Sequence, residues 1–312
     1  MKVVALGRTG LNVSVVGLGA SAIGGVYGPV AEADAIATVA AALEAGMTLF
    51  DTAPAYGATR SEALLGRALR GVPRGSYVLS TKAGKTTSKS GVDSFDFSES
   101  GVRRSVSESL ERLGTDRLDI VHLHDFDYQG GRHMDQAIAE GFPALNALKA
   151  EGIVGAIGAG IYFMEQWKRT LLEVRLDAAL LHNHHTLCDV RAHELLPLLG
   201  SRGIGVINAA PFASGLLCGS EPAAWHPAPP EARALFAQAA ALTASLGVPI
   251  ARLALQFAAS ESRLPVTLFS CADPGTLRRN LGWLGSPPDL DLVAKVQRLL
   301  EPVMNRRWAY GA

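Results

Sequence analysis

A carboxylate, a phenol, an ammonium and an imidazole stand in order along the first half of the chain: Asp51, Tyr56, Lys82 and His124. Asp51 ends one short apolar run, and Tyr56 follows in a Pro/Gly loop before a helix opens at Ser61-Glu62. Lys82 closes the next apolar run, Tyr77-Val-Leu-Ser-Thr, and His124 ends the segment Asp119-Ile-Val-His-Leu-His. A phenol with an unperturbed pKa of about 10 exchanges protons poorly at neutral pH. A nearby ammonium favours the phenolate and lowers that value, and a carboxylate keeps the ammonium charged in a partly dry pocket. The set therefore describes acid–base chemistry at a carbonyl or hydroxyl. Tyr56 gives or takes the proton, Lys82 and Asp51 tune it, and His124 orients the oxygen. The companion step is hydride transfer, and no side chain supplies hydride, so a cofactor is implied. Singly, each residue has an ordinary reading: an Asp before a loop commonly caps a turn, and a Lys after a strand commonly sits in solvent. The weight lies in their order at the ends of successive strand-like runs. His122 shares a strand face with His124, but His124 is nearer the strand end and is taken as the site residue.

Bringing these groups together requires strands that end side by side. The pattern predicts a hairpin from Val3–Leu6 and Val13–Val16 around Gly7-Arg-Thr-Gly10. Strands follow at Val15–Leu18, Thr48–Asp51, Tyr77–Thr81, Ile120–His124, Gly155–Gly158, Ala178–His182, Gly205–Asn208 and Val266–Ser270. Helical spacing marks Ala31–Ala45, Ser61–Arg70, Ser100–Leu113, Asp135–Glu151, Phe163–Glu173, Ala192–Ser201, Pro230–Leu246 and Ile250–Ser260. Eight short strands alternating with helices suit an α/β fold of the closed (β/α)8 barrel type, with an N-terminal β-hairpin, in a single domain over 1–312. Barrel enzymes carry their chemistry at the C-terminal strand ends, where all four residues fall. The loop 219–231 is expected on that face, and the tail 304–312, with Trp308 and Tyr310, is expected to fold over the same mouth.

The stretch Asp51-Thr-Ala-Pro-Ala-Tyr56, with Glu62 and Gly66 behind it and Lys82 and His124 beyond, resembles the signature of the aldo-keto reductases. The likeness runs from the hairpin to the last helices, and Asp119 to His124 has the family's spacing. Val154–Gly160, Leu195–Leu199, Arg202–Ile207 and Pro211–Leu217 resemble the D-threo-aldose (L-fucose) dehydrogenase branch. Trp225-His226-Pro227 and Leu253–Phe257 are similar to the plant-type L-galactose dehydrogenases. The resemblance implies an NAD(P)-dependent enzyme that oxidises the anomeric carbon of a free aldose, of L-galactose, L-fucose or D-arabinose type, to a lactone. A general carbonyl or aldehyde reductase, or a pyridoxal-type dehydrogenase, is the alternative. It also implies a cofactor site drawn from Gly19, Ala20, Gly160, Asn183, Pro211, Phe212, Ser214, Gly215, Leu217, Ser270, Thr276, Arg279 and Asn280. The substrate end it implies comprises Tyr56, His124, Asp125, Trp225 and His226.

The chain departs from that pattern at three places. Gly160-Ile161 stands where many members hold the nicotinamide amide with Ser-Asn, Leu180 replaces a common Gln, and Ala209 replaces a stacking Tyr. His182, Asn183 and His184 are the candidates to rebuild the grip. Where the family selects a 2′-phosphate with Arg and Lys, this chain has Thr276 and Ser270, leaving Arg278 and Arg279 nearby. A 2′-phosphate needs such cations, so NAD is expected over NADP.

Gly17-Leu-Gly19, with Gly24-Gly25 beyond, lacks the spacing of a dinucleotide fingerprint and reads better, in a barrel, as glycines that let the backbone approach the cofactor or substrate. His122, His124 and the group His182-Asn-His-His185 with Asp189 and His193 raise a different class, a metal-dependent barrel hydrolase. That reading leaves Tyr56 and Lys82 idle, and no metal site is expected. A nucleotide-binding regulatory subunit on the same fold would not need the four residues intact. With 29 Lys and Arg against 29 Asp and Glu, the net charge is +0 and no nucleic-acid partner is expected. The three cysteines, Cys188, Cys218 and Cys271, form no spaced pattern, which suits a reducing, cytoplasmic setting. No signal peptide or apolar run near membrane-spanning length is visible. The partner expected is a small sugar or aldehyde, and the oligomeric state is not legible.

Overall fold

The protein is described by a computed structural model covering residues 1–310. Gly311 and Ala312, the end of the expected tail, lie outside the described residues. Twelve strands occur in chain order: β1 Val3–Ala5, β2 Asn12–Ser14, β3 Val16–Gly19, β4 Leu49–Asp51, β5 Val78–Ala83, β6 Lys85–Thr87, β7 Asp93–Phe95, β8 Leu118–His124, β9 Val154–Ile161, β10 Ala178–His182, β11 Gly205–Ala209 and β12 Val266–Ser270. Eight of them close a parallel barrel in the order β3-β4-β5-β8-β9-β10-β11-β12, with β12 pairing back onto β3. β1 and β2 form the expected hairpin, pairing antiparallel with Val4 opposite Val13.

Period-two alternation decides which side chains enter the barrel. The lower interior is apolar: Leu49, Val78, Ile120, Ala156, Ala178, Ile207 and Val266 pack with Leu6 and Val13 of the hairpin region. Further along the same strand faces, at steps of two, come polar or catalytic-type groups: Asp51 above Leu49, Ser80 and then Lys82 above Val78, His122 and then His124 above Ile120. The opposite strand faces, including Phe50, Leu79, Val121 and Leu123, join the large core shared with the surrounding helices. β3 turns two glycines inward. A Cβ on Gly17 would overlap Leu268 and crowd Leu49, so this position has room for hydrogen only. At Gly17 the close approach is to packed barrel residues rather than to the cofactor or substrate expected from the sequence; Gly19 is the one that lines the cavity.

The strand and helix boundaries fall within a few residues of the sequence expectation, with informative exceptions. β9 extends three residues past Gly158 to Ile161, because Gly158 and Gly160 continue the inward face without side chains to crowd it. Lys82 lies within β5 rather than at its end. The helix expected over Asp135–Glu151 runs without a break through Met134–Gln136 and Phe142–Ala150 but widens into a π turn at Ala137–Gly141. The antiparallel pair β6–β7 was not foreseen, because its six residues are mostly polar and carry no apolar alternation. Helices Pro274–Trp283 and Leu290–Leu299 were likewise not foreseen. Among the described residues no single helix is long and apolar enough to cross a membrane.

Candidate active site

The barrel mouth holds a cavity of about 1040 Å³, and Asp51, Tyr56, Lys82 and His124 all line it. β4 ends on Asp51 and the neighbouring β5 presents Lys82 beside it. Lys82 Nζ donates to Asp51 Oδ1 at 2.6 Å and to the carbonyl of Thr52 at 2.8 Å. Ser80 Oγ donates to Asp51 Oδ2 at 2.7 Å. Both charged groups are buried, so removing either would strand the other, at a cost of about 3–5 kcal/mol. Tyr56 sits on the loop after β4. Gly57 turns that loop with φ of 61°, and a Cβ there would overlap the carbonyl of Gly24, so glycine is what lets the two loops meet. The result sets the Tyr56 ring centroid 4.7 Å from Lys82 Nζ and edge-on to His124, with ring centroids 5.9 Å apart.

Burial works against the Lys82 charge, but Asp51 and then Tyr56 outweigh it and hold its pKa above the ordinary value. For Tyr56 the balance corrects the sequence expectation. Burial raises the phenol, Lys82 lowers it and Asp51 raises it again, so the net direction is up. Desolvation of the phenolate in this recess outweighs the ammonium. Burial brings His124 down to about 3, Asp125 opposing, so it is a neutral imidazole. Its Nε2 lies 3.6 Å from Asp125 Oδ2 and its Nδ1 has no partner. His122 lies one layer deeper. Burial brings it to about 4, its ring fills the space left by Gly158, and it does not line the cavity.

The remaining expected residues divide. Gly19, Gly160, Pro211, Phe212, Ser214, Gly215 and Ser270 line the cavity, as do Asp125 and Trp225. Ser270 Oγ also accepts from the Ala22 backbone at 2.8 Å, tying that loop to β12. Ala20 and Leu217 do not line it; both are fully buried apolar core residues, because their side chains turn away from the mouth. Thr276, Arg279 and Asn280 sit on helix Pro274–Trp283, outside the cavity wall. Arg279 lies over the Trp283 ring and donates to Thr276 Oγ1 at 3.3 Å. Asn280 is buried on the inner side of that helix. His226 is also off the wall. Its Nδ1 accepts from Ala228 N at 3.0 Å, so Nε2 carries the proton and donates to the Tyr310 hydroxyl at 2.8 Å. Tyr310 thus reaches the cavity in its place, and the tail does fold over the mouth as far as it is described.

Of the candidates to hold the nicotinamide, His182 lines the cavity and His184 does not. His184 Nε2 bonds the carbonyl of Tyr162 at 2.5 Å and its ring stacks on Tyr162. Asn183 adopts a φ of 63° at the end of β10 and donates through Nδ2 to Ser214 Oγ at 2.8 Å, leaving its buried Oδ1 without a partner. Asn183 itself does not line the cavity; it is hydrogen-bonded to Ser214, which does, and Gly160 and Ala209 leave that part of the wall open enough for a nicotinamide carboxamide. Among the described residues no three His, Cys, Asp or Glu side chains converge as a metal-binding group. The sequence reading missed Lys85, Asp93, Tyr27 and Tyr128, which also line the cavity. Lys85 and Asp93 lie in the unforeseen hairpin, three and eleven residues past Lys82, so strand alternation carried on from Lys82 points to neither.

The profile of the Aldo/keto reductase family matches residues 15–301. The chain belongs to the aldo/keto reductase family. It is an NAD(P)-dependent oxidoreductase with the (β/α)8 barrel of that family. It is 40% identical to the L-galactose dehydrogenase of Arabidopsis thaliana, across 98% of this chain and 97% of that one. It is 34% identical to the D-threo-aldose 1-dehydrogenase of a Pseudomonas species, across 88% and 91%. It is also 34% identical to the pyridoxal 4-dehydrogenase of Microbacterium luteolum, across 89% and 92%. The holo form of an aldo-keto reductase from Bacillus halodurans shares the fold, with a TM-score of 0.76 at 24% identity over 99% of this chain and 98% of that one.

Proposed function

We propose that this aldo/keto reductase oxidises the anomeric carbon of a free neutral aldose to a lactone, with NAD as the preferred acceptor. The observation that carries the reading is the Asp51–Lys82 pair set against Tyr56 and facing a neutral His124 in one cavity. Bound NAD supplies the hydride acceptor, nicotinamide C4. The chain supplies the rest. His124 is uncharged and offers one N–H to the sugar oxygen, placing it without competing for its proton. Tyr56, in the phenolate form that Lys82 favours, takes the anomeric hydroxyl proton as C1 gives up its hydride, and the C1–O bond becomes the lactone carbonyl. Lys82 stays protonated throughout because Asp51 holds its charge. The likeness to two aldose dehydrogenases supports the choice of an aldose.

Two features support NAD. The cavity wall carries no arginine among the described residues. The N-terminus of helix Pro274–Trp283, where a 2′-phosphate would find donors, is capped instead by Asp273, whose Oδ1 accepts from Thr276 N at 2.8 Å. A carboxylate there repels phosphate. All three cysteines are free, which supports a reducing, cytoplasmic setting.

The test is a spectrophotometric screen of aldoses with NAD and NADP, following nicotinamide reduction. Aldose-dependent reduction is expected, and Tyr56→Phe is expected to lose about 10²–10⁴-fold in turnover while still binding nucleotide. Full turnover in Tyr56→Phe would remove the phenol from the mechanism. Reduction of simple aldehydes with no aldose oxidised would replace the substrate reading by a carbonyl reductase.

A further inference from the structure

Beside the four residues assigned to the reaction lies a second charged group that the reaction does not use. Lys85 opens β6, and its buried Nζ lies 2.9 Å from Asp125 Oδ2 and 2.9 Å from Asp93 Oδ2. The Tyr128 ring covers the ammonium at 4.6 Å. Asp125 follows His124 directly, with a φ of 51° that swings it out of the strand path, and its N donates to the carbonyl of Gly160 at 3.0 Å. Lys85 engages Oδ2 only. A buried ion pair of this kind contributes little to stability against an apolar replacement, and a left-handed non-glycine residue at a strand end is a strained conformation often found at binding sites.

We infer that Lys85 and Asp125 form the subsite that grips two adjacent hydroxyl groups of the substrate, and so make the enzyme select polyhydroxylated substrates over their deoxy counterparts. The inference rests on the aldose reading above. A vicinal diol offers a donor and an acceptor side by side. One hydroxyl donates to the Asp125 carboxylate and its neighbour accepts from the Lys85 ammonium. The 3.6 Å between His124 Nε2 and Asp125 Oδ2 places this pair next to the oxygen that His124 would hold. The sign of the charge narrows the ligand. Asp51, Asp93, Asp125 and Glu221 line the cavity against Lys82, Lys85 and Lys89, one more acid than base. A neutral polyol suits that balance, and an anionic sugar does not. The discrimination is expected to be steep, because a deoxy substrate covers the pair while leaving the second Asp125 oxygen without a donor.

The experiment compares kcat/KM for hydroxylated and deoxy partners in both directions: an aldose against its 2-deoxy analogue for oxidation with NAD, and glyceraldehyde against propanal for reduction with NADH. Lys85→Met and Asp125→Asn are each expected to shrink the hydroxylated-to-deoxy ratio by at least about tenfold, with Lys85→Arg retaining part of it. Asp93→Asn frees the β6–β7 hairpin but leaves the Lys85–Asp125 pair, and is expected to keep the ratio. Equal losses on both partners in Lys85→Met, an unchanged ratio, or an Asp93→Asn variant that mimics Lys85→Met would overturn the subsite. If no aldose is oxidised but the glyceraldehyde-to-propanal ratio still collapses in Lys85→Met, the oxidation reading fails and the diol subsite stands.

Discussion

At the scale of single residues, the proposed proton chemistry turns on opposed influences at the Tyr56 hydroxyl. Lys82 lowers its pKa and Asp51 raises it, while burial, the largest influence, also raises it. Oxidation needs the phenolate, so its rate should climb with pH toward the raised Tyr56 pKa. Replacing Lys82 with Met removes the lowering influence, and the basic limb of residual activity should move up by about one pH unit or more. Asp51→Asn removes a raising charge. Lys82 keeps the Thr52 carbonyl, and the limb should move down. Opposite shifts in the two kcat–pH profiles are the expected result; shifts of the same sign would mean that Asp51 acts only through the ionisation of Lys82. These identities were legible in the chain because acid, phenol, ammonium and imidazole are chemically distinctive and fall at strand ends. The net upward direction at Tyr56 was not, since desolvation depends on everything packed around the ring.

Among the elements, β9 carries the clearest constraint. Its inward positions are Gly158 and Gly160, one leaving room for the His122 ring and the other opening the cavity beside Lys82. Gly158→Ala should destabilise the fold by about 1–3 kcal/mol, read as a lower denaturant midpoint, since its methyl group meets both the ring and the carbonyl of Ala178. In the proposed preference for NAD, helix Pro274–Trp283 acts through its Asp273 cap. Asp273→Ser combined with Thr276→Arg should raise the NADP-to-NAD ratio of kcat/KM by about tenfold or more; an unchanged ratio would place the discrimination elsewhere. The barrel strands were legible because each is a compact apolar run between Gly- or Pro-bearing loops. β6 and β7 were not, because their pairing is held by polar contacts such as Lys85 to Asp93, which leave no apolar period to read.

Over the whole molecule, four buried histidines and the half-buried His182 set the response to acid. Burial holds His124 at about 3 and His122, His182, His185 and His226 at about 4. The unfolded chain binds protons on them near 6.5, so their contribution to stability is full above that value and is lost as pH falls from about 6.5 toward 4. Each contributes a slope of up to about 1.4 kcal/mol per pH unit in that window. Asp127 opposes one of them. Burial, then Asp125, pushes its carboxyl up to about 7, so its share favours the fold at low pH and is lost as pH rises through 7. Thermal midpoints should therefore fall steeply between pH 6.5 and 4.5, and His122→Leu should flatten that slope. A slope unchanged in His122→Leu would show that this ring takes up a proton in the fold.

By itself the sequence determined the barrel, the hairpin beneath it and the four groups proposed to react, because local apolar periodicity and residue chemistry are written along the chain. His124 was chosen over His122 by position, and the depth of the barrel supplies the reason: two residues along a strand carry a side chain from the packed layer to the mouth. Only tertiary structure decided the rest. It removed Ala20, Asn183, Leu217, His226 and the three residues of helix Pro274–Trp283 from the cavity wall, and put Lys85 on it. Which way a loop residue faces, and which distant segment meets it, depends on contacts between parts of the chain that carry no shared local pattern.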